Sequence, residues 1–162
     1  MKLYTIKREQ VIETSLEQAW DFLSMPANLG EISPEEMNFH VESISDDRRT
    51  YAGQVICYTI GLFPWLKFRW VTEITHVQEP RYFVDEQRFG PYKFWHHQHF
   101  IEAVDGGVKM TDIVNYGIPM GILGRFMNRV YIRRKLSQIF DHRAEAVRHY
   151  FAKRLTAQPE YS

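Results

Sequence analysis

The fold is decided by residues 121–155, with the sequence GILGRFMNRVYIRRKLSQIFDHRAEAVRHYFAKRL. Apolar residues recur in this stretch every three or four positions, the spacing that places side chains on one face of an α-helix. They are Leu123, Phe126, Val130, Phe140, Ala144, Val147 and Phe151, flanked by Met127, Tyr131, Leu136, Ile139 and Tyr150. Charged residues occupy the other face, so the segment is not a membrane span. We therefore predict one amphipathic helix of about nine turns at 3.6 residues each.

Most of the chain before this helix has the pattern of β-strands separated by turn residues. Thr14-Ser15, followed by Glu17 and Gln18, predicts a capped short helix, and residues 25–36 contain several helix breakers. The predicted strands span residues 3–13, 39–44, 51–60, 67–77, 82–89, 94–103 and 108–116. A single long helix after a run of strands is most simply buried by lying across the sheet, so we predict the α+β class.

Composition limits the size of the molecule and the nature of its partners. The 162 residues, 44% hydrophobic, fit one domain, expected over residues 1–155 with a frayed tail at 156–162. Twenty basic and twenty acidic residues cancel, which gives no argument for nucleic acid or an anionic membrane surface. No segment predicts export or a membrane span, and the single cysteine, Cys57, is compatible with a reducing cytoplasm. We expect a cytoplasmic protein with a small or neutral partner.

Turn geometry predicts which strand residues share one face of the sheet. A two-residue turn at Asp105-Gly106 predicts the pairs His99–Asp112, His97–Val114 and Trp95–Tyr116. Turns at Glu79-Pro80 and Gly90-Pro91-Tyr92 predict the pairs Ile74–Asp85, Thr72–Gln87, Trp70–Phe89, Gln87–Trp95, Asp85–His97 and Phe83–His99. One face then combines large apolar residues with Asp85, Gln87, His97, His99 and Asp112.

Several short motifs, spread over nearly the whole chain, together resemble a known superfamily. They are residues 22–29 (FLSMPANL) and 32–34 (ISP), Gly90-Pro91-Tyr92 with Trp95, His97 and His99, then Met110, Asp112, Tyr116, Pro119, Gly121, Arg133-Arg134 and Ile139-Phe140. Together they resemble the SRPBCC superfamily, which includes START lipid-transfer domains, birch-pollen-allergen-like proteins and polyketide cyclase/dehydrases, and in particular its bacterial ligand-binding branch. The resemblance implies a helix-grip fold, in which a curved seven-stranded antiparallel sheet wraps around the long C-terminal helix. It also implies two short helices between the first two strands and a cavity between sheet and helix.

The mixed sheet face predicts a ligand site. Apolar side chains with a few convergent polar groups are typical of small-molecule pockets. The expected ligand-binding residues are Trp70, Phe83, Gln87, Phe89, Trp95, Met110, Val114, Tyr116, Phe126, Val130 and Arg133. Composition and spacing do not distinguish a cavity from a filled core. If the two faces were inverted, the polar residues would contact water instead.

Four titratable residues are candidates for chemistry: His97, His99, Asp112 and Asp85. A carboxylate that orients an imidazole forms a general base. The same side chains could also bind a metal ion, but His–Asp pairs more often hold each other in place, so we expect neither metal nor cofactor. Arg133 or Arg134 either reaches inward to a carboxylate or lies at the surface.

Three hypotheses for function follow. The first is binding of a small, largely hydrophobic molecule of lipid, polyketide or aromatic type in a cavity between sheet and helix. The second is a cyclase/dehydrase-type enzyme that uses a His–Asp pair in that cavity. The third is a protein-interaction module that docks a protein partner through Leu62, Phe63 and Trp65 of the apolar loop 61–65, and a homodimer is also compatible with the sequence.

Overall fold

A computed structural model describes residues 1–45, 49–63 and 66–157, without the side chains of residues 62, 63 and 157. Seven strands form one antiparallel sheet with the spatial order β1-β7-β6-β5-β4-β3-β2. The strands are β1 (Leu3–Ile12), β2 (His40–Ile44), β3 (Val55–Phe63), β4 (Leu66–Gln78), β5 (Tyr82–Phe89), β6 (Phe94–Val104) and β7 (Gly107–Gly117). The predicted α+β helix-grip architecture is confirmed. In the described part of the chain, no helix is long and apolar enough to cross a membrane.

The segment between β1 and β2 contains one α-helix, α1 (Leu16–Leu23), and two 3-10 turns, Pro26–Leu29 and Glu35–Met37. Ser15 caps α1, because its hydroxyl accepts a hydrogen bond from the backbone N–H of Gln18 at 3.2 Å. The second short helix of the prediction is therefore replaced by two shorter turns. Helix breakers such as Pro26 and Pro34 explain this, since they interrupt regular i to i+4 hydrogen bonding.

The predicted strand register is largely confirmed. β6 and β7 pair His99 with Asp112, and β5 and β6 pair Asp85 with His97. Between β4 and β5 the turn is one residue longer than predicted, because Gln78 pairs with Tyr82, and a bulge between Ile74 and His76 restores the expected pairing of Ile74 with Asp85.

The predicted register is wrong near the C-terminal end of β5. A second bulge pairs Phe89 with Val71 rather than with Trp70. The described β5–β6 pairing ends at Glu86–His96, so the predicted Gln87–Trp95 pair is not formed. Bulges depend on local backbone geometry, which turn counting does not include.

The C-terminal segment is helical from Gly121 to Ala157, but it is not one regular α-helix. A π-helical turn, Asn128–Ile132, separates α2 (Gly121–Met127) from α3 (Arg133–Ala157). A π-turn closes at i+5 instead of i+4, so it changes the face that the preceding residues present to the sheet. Gly124 and Asn128 are buried there, and the hydroxyl of Tyr116 donates to Asn128 Oδ1 at 3.0 Å.

The π-turn overturns part of the predicted apolar face. Leu123, Phe126 and Val130 are 53%, 60% and 54% exposed, although the periodicity predicted that they are covered. Beyond the π-turn the prediction is confirmed, and the core includes the α3 residues Leu136, Ile139, Phe140, Val147 and Phe151.

Two predicted features fall mainly outside the described residues. The backbone of 61–63 belongs to β3, and Phe63 pairs with Leu66. The remainder of the apolar loop 61–65, the side chains of residues 62–65 and residues 46–48 of the predicted polar turn are not described. Helix α3 continues to residue 157, two residues beyond the predicted end of the domain at 155. The rest of the predicted tail, 158–162, also lies outside the described residues.

Gly124 provides a test of how α2 packs. A Cβ atom at this position would lie 1.9 Å from the carbonyl oxygen of Pro119 and 3.1 Å from Ile118 Cγ2. Gly124→Ala should therefore destabilise the protein by about 1–3 kcal/mol in urea unfolding, as overpacking does. An alanine without such an overlap would instead stabilise a helix by about 1 kcal/mol. A stabilised Gly124→Ala variant would contradict the close approach of the 118–119 backbone.

Candidate functional site

A cavity of about 180 Å³ lies between the sheet and α3. One wall is aromatic: Trp70 is 5.0 Å from Trp95 and 5.5 Å from Tyr92, measured between ring centroids, and Tyr58 stacks on Trp70 at 5.9 Å. α3 forms the facing wall with Leu136, Ile139, Phe140, Arg143, Ala144 and Val147. The aromatic residues of this sequence therefore pack against each other and also surround a space that a small molecule can occupy.

Four titratable side chains meet in this cavity. His97 and His99 are two apart on β6, so they point to the same face, and the register places Asp85 of β5 and Asp112 of β7 beside them. His96, which directly precedes His97, alternates to the other face and stacks near Phe94 instead. We call Asp85, His97, His99 and Asp112 the His–Asp cluster.

Every imidazole nitrogen in the His–Asp cluster contacts a carboxylate oxygen. His97 places Nε2 2.9 Å from Asp112 Oδ1 and Nδ1 3.3 Å from Asp85 Oδ2. His99 places Nε2 2.7 Å from Asp85 Oδ2 and Nδ1 3.0 Å from Asp112 Oδ1. The two rings are 3.7 Å apart, and each histidine thus bridges both aspartates.

Three members of the cluster, Asp85, His99 and Asp112, are ionised at neutral pH. Burial by itself would lower the pKa of His99, but hydrogen bonds and the charges of Asp112 and Asp85 outweigh burial and raise this pKa to about 9. Burial opposes ionisation of both aspartates, and the hydrogen bonds and charges of the two histidines overcome it, so the pKa of Asp85 and of Asp112 falls well below the usual range. His99 is accordingly a cation held between two anions.

Arg143 of α3 brings a fifth charged group to the cavity. Burial lowers the pKa of its guanidinium, and the negative charges of Asp112 and Asp85 act in the opposite direction. Its guanidinium carbon lies 5.8 Å from the centroid of the Phe140 ring, a cation–π distance. Its Nε atom is buried and has no hydrogen-bond partner among the described residues.

Tyr58 adds a neutral hydroxyl to the same wall. Burial, followed by the negative charge of Asp85, raises the pKa of Tyr58 above its ordinary value. Its hydroxyl is 2.9 Å from Thr72 Oγ1, and either oxygen can donate in that hydrogen bond. Tyr58 is therefore a neutral phenol rather than a phenolate at physiological pH.

The His–Asp cluster also has atoms that could hold a metal ion. Asp85, His97 and His99 each offer one ligand atom, and these atoms lie within 4.8 Å of one another. A metal would have to displace protons from the imidazoles, since only a deprotonated nitrogen is a ligand. The same atoms already form hydrogen bonds between histidine and aspartate, which favours the expectation that no metal is bound. That expectation stays a prediction.

The structure brings together only some of the residues expected to bind a ligand. Trp70, Phe83, Trp95 and Met110 line the cavity with the whole His–Asp cluster. Val114 and Tyr116 are fully buried in the core but do not line the cavity.

The other five expected ligand-binding residues lie elsewhere. Gln87 holds the following turn, because its Nε2 donates to the carbonyl of Tyr92 at 2.6 Å. Phe89 is exposed beyond the bulge at Arg88 in β5, and Phe126 and Val130 are exposed next to or within the π-turn. Arg133 is exposed at the start of α3, so it does not reach inward, and the same is true of Arg134.

Sequence reasoning missed Arg143, although a signal was present. Leu136, Phe140, Arg143 and Val147 follow one another at steps of four, three and four, so a charged residue occupies a position of the apolar face. A charge at such a position indicates either a buried partner or a ligand. Tyr58, Tyr92 and Phe140 were also missed as cavity residues, since their roles depend on which strands curve over α3.

Comparisons with known proteins identify the fold. No family model matches this sequence. A search of curated proteins also finds no match. Among solved structures, a START superfamily protein from Mycobacterium smegmatis matches with a TM-score of 0.67 and 9% identity, over 92% of this chain and 97% of that chain. The chain therefore has the same fold as this START superfamily protein, a helix-grip fold.

Two further solved structures extend the helix-grip comparison. The di-domain ARO/CYC protein BexL from the BE-7585A biosynthetic pathway matches with a TM-score of 0.72 and 15% identity, over 97% of this chain and 51% of that chain. The major latex-like protein 151 from Panax ginseng matches with a TM-score of 0.65 and 8% identity, over 92% of this chain and 97% of that chain. At these identities the likeness defines the helix-grip fold and leaves ligand and reaction open.

The raised pKa of His99 predicts a specific dependence of stability on pH. Its contribution is fully present below the unfolded pKa of about 6.5 and is lost as pH rises through the folded pKa of about 9. His99→Gln should cost about 3 kcal/mol near neutral pH, because it leaves buried carboxylates without one of their partners. The difference in unfolding free energy between wild type and variant should shrink as pH rises through this window.

Urea unfolding at several pH values measures this difference. His149→Gln, which replaces an exposed histidine of α3, is the matched control and should follow the wild-type profile. A constant gap between wild type and His99→Gln from neutral pH to pH 10 would show that His99 is not a buried cation.

Proposed function

We propose that this protein binds a small, largely apolar molecule of lipid, polyketide or aromatic type in the cavity between the sheet and α3. One observation carries the proposal: a cavity of about 180 Å³ is lined mainly by aromatic and aliphatic side chains, with a small number of charged groups among them. A pocket of this kind stabilises an apolar molecule by removing its surface from water. The polar groups bind the polar end of the molecule and so determine its orientation in the cavity.

Two parts of the cavity have different roles in this proposal. The aromatic wall of Tyr58, Trp70, Tyr92 and Trp95 offers ring faces and edges to an apolar or aromatic body. The His–Asp cluster and Arg143 offer charged hydrogen-bonding groups to a polar end. The helix-grip fold of proteins named as START and ARO/CYC supports binding of a small molecule as the general function.

The His–Asp cluster favours a second candidate, a cyclase/dehydrase-type enzyme. Such chemistry needs a group that removes a proton from the substrate. His99 is a poor choice for that general base, because a pKa of about 9 keeps its imidazole protonated at neutral pH and both of its nitrogens contact carboxylates. The same ring is better suited to donate a proton or a hydrogen bond. Simple binding is therefore the stronger of the two candidates.

Filling the cavity tests the proposed function. Wild-type protein purified from a bacterial host should carry an apolar small molecule at near one-to-one stoichiometry in native mass spectrometry. Ala144→Phe places a ring in the cavity and should remove this molecule, whereas Ala152→Phe, on the exposed side of the same helix, should retain it. An unliganded wild-type protein that also shows no thermal shift with lipids, polyketides or aromatic acids would count against binding.

Ligand affinity and turnover of His99→Gln, measured on the ligand that mass spectrometry identifies, separate the two candidates. A binding protein should retain most of its ligand affinity, since the apolar walls remain intact. An enzyme should bind its substrate with little change and lose turnover by orders of magnitude. Loss of turnover in His99→Gln on a ligand identified by mass spectrometry would replace binding by catalysis as the function.

A further inference from the structure

We propose that Arg143 binds a negatively charged group of the ligand, so that the ligand class is an amphipathic molecule with one anionic end, such as a carboxylate. This inference rests on the proposed function, because it names the chemistry of the molecule that the cavity takes. Its basis is the geometry around Arg143 and the unpartnered hydrogen-bond donors of the cavity wall.

Arg143 lacks the partner that other charged cavity residues have. Arg8 pairs with Asp141 at 3.0 Å, and Glu9 pairs with Lys7 at 2.8 Å. In residues 1–45, 49–63 and 66–157, no carboxylate oxygen lies within 4.0 Å of the Arg143 guanidinium nitrogens. A partly buried guanidinium without an anion loses hydration without gaining an ion pair.

The His–Asp cluster does not supply the missing negative charge. A contact of 2.7–3.3 Å between an imidazole nitrogen and a carboxylate oxygen is favourable when the nitrogen carries a proton. Both carboxylates are thus already paired with the imidazoles of His97 and His99. Neither of them lies within 4.0 Å of a guanidinium nitrogen of Arg143, so the positive charge of Arg143 is left to be matched by a ligand.

Unpartnered hydrogen-bond donors point to the same ligand chemistry. Among the described residues that line the cavity, the buried polar atoms without a partner are Arg143 Nε, Trp70 Nε1 and Gln10 Oε1. Two of the three are donors, and one of these belongs to a cation. An oxygen acceptor with negative charge satisfies a guanidinium through parallel hydrogen bonds, as a carboxylate does.

Paired ligands that differ only in charge test the inference. Decanoic acid and decanol serve as one pair, and naphthoic acid and naphthylmethanol serve as a second. Wild type should bind each acid roughly tenfold or more tightly than its alcohol by isothermal titration calorimetry at neutral pH, the gain expected of charge-assisted hydrogen bonds. Arg143→Gln should bind acid and alcohol with equal affinity, and Arg148→Gln, at an exposed position of the same helix, should behave as wild type.

The outcomes separate this inference from the proposed function. Equal binding of acid and alcohol by wild type, or an unchanged preference in Arg143→Gln, overturns the role of Arg143 while leaving the cavity as an apolar site. Binding of neither member of either pair by a folded wild type counts against the proposed function, and the inference fails with it. Arg143→Met provides a second variant that keeps the apolar stem if the glutamine variant does not fold.

A second feature of the structure, independent of the cavity, is an exposed apolar surface on the outer face of α2 that lies next to arginines. Met120, Ile122, Leu123, Phe126 and Val130 are all more than half exposed, and we call them the α2 patch. Residues 121–140 contain four arginines and one lysine but no aspartate or glutamate. Arg125, Arg129, Arg133 and Arg134 are exposed and form no ion pair with any described residue.

We infer that the α2 patch docks on an anionic lipid surface. Exposed apolar side chains enter the boundary between headgroups and acyl chains, and nearby arginines pair with anionic headgroups. Charge complementarity favours this occupant over a second copy of the chain, because a two-fold dimer through the same surface would bring its arginines together. The zero net charge of the chain hides this local excess of positive charge.

Vesicle co-sedimentation tests the α2 patch. Wild type should sediment with vesicles of phosphatidylcholine and phosphatidylglycerol, should not sediment with phosphatidylcholine alone, and should be released by high salt. Phe126→Asp should reduce sedimentation several-fold, whereas Leu155→Asp, an exposed apolar position at the other end of the helix, should not. Absence of sedimentation, or a dimer in light scattering that Phe126→Asp dissociates, overturns membrane docking.

Discussion

Two carboxylates, those of Asp85 and Asp112, lie inside an apolar cavity, where a charge without a partner costs several kcal/mol. The imidazoles of His97 and His99 contact both of them, and these contacts allow four titratable groups to remain in the protein interior. The arrangement needs three neighbouring strands in one register, since a slip of one residue on β6 would turn both histidines away. The His–Asp cluster therefore ties the ligand cavity to the pairing of β5, β6 and β7.

The same interaction limits the chemistry that the cavity can perform. His99, which bridges two carboxylates, keeps its proton at neutral pH, so it serves better as a fixed cation or hydrogen-bond donor than as a base. Arg143 stands apart, because it faces the cavity from α3 without an ion-pair partner in the described chain. The cavity thus combines one group of side chains that pair with each other and one charge that remains available to a ligand.

The long C-terminal segment shows how a local backbone feature redirects a surface. At the π-turn Asn128–Ile132, Asn128 faces the sheet and Gly124 packs against residues 118–119, while Leu123, Phe126 and Val130 are in contact with water. Gly124 fits because a side chain would overlap the carbonyl of Pro119, and Asn128 is held by the hydroxyl of Tyr116. The extra residue of the π-turn therefore separates α3, whose apolar face is buried in the core, from α2, whose apolar side chains are exposed beside arginines.

The sequence by itself determined the order of elements, the α+β class and most of the register. Turn residues such as Asp105-Gly106 and the period of two along a strand are local signals, which is why the alignment of His97, His99, Asp85 and Asp112 was predictable. Tertiary structure alone decided the bulge that exposes Phe89, the π-turn that exposes Phe126 and the choice of Arg143 over Arg133 as the inward arginine. These outcomes depend on how helix and sheet fit against each other, and a change of one residue in a turn alters which side chains reach the cavity while the periodic pattern in the sequence stays the same.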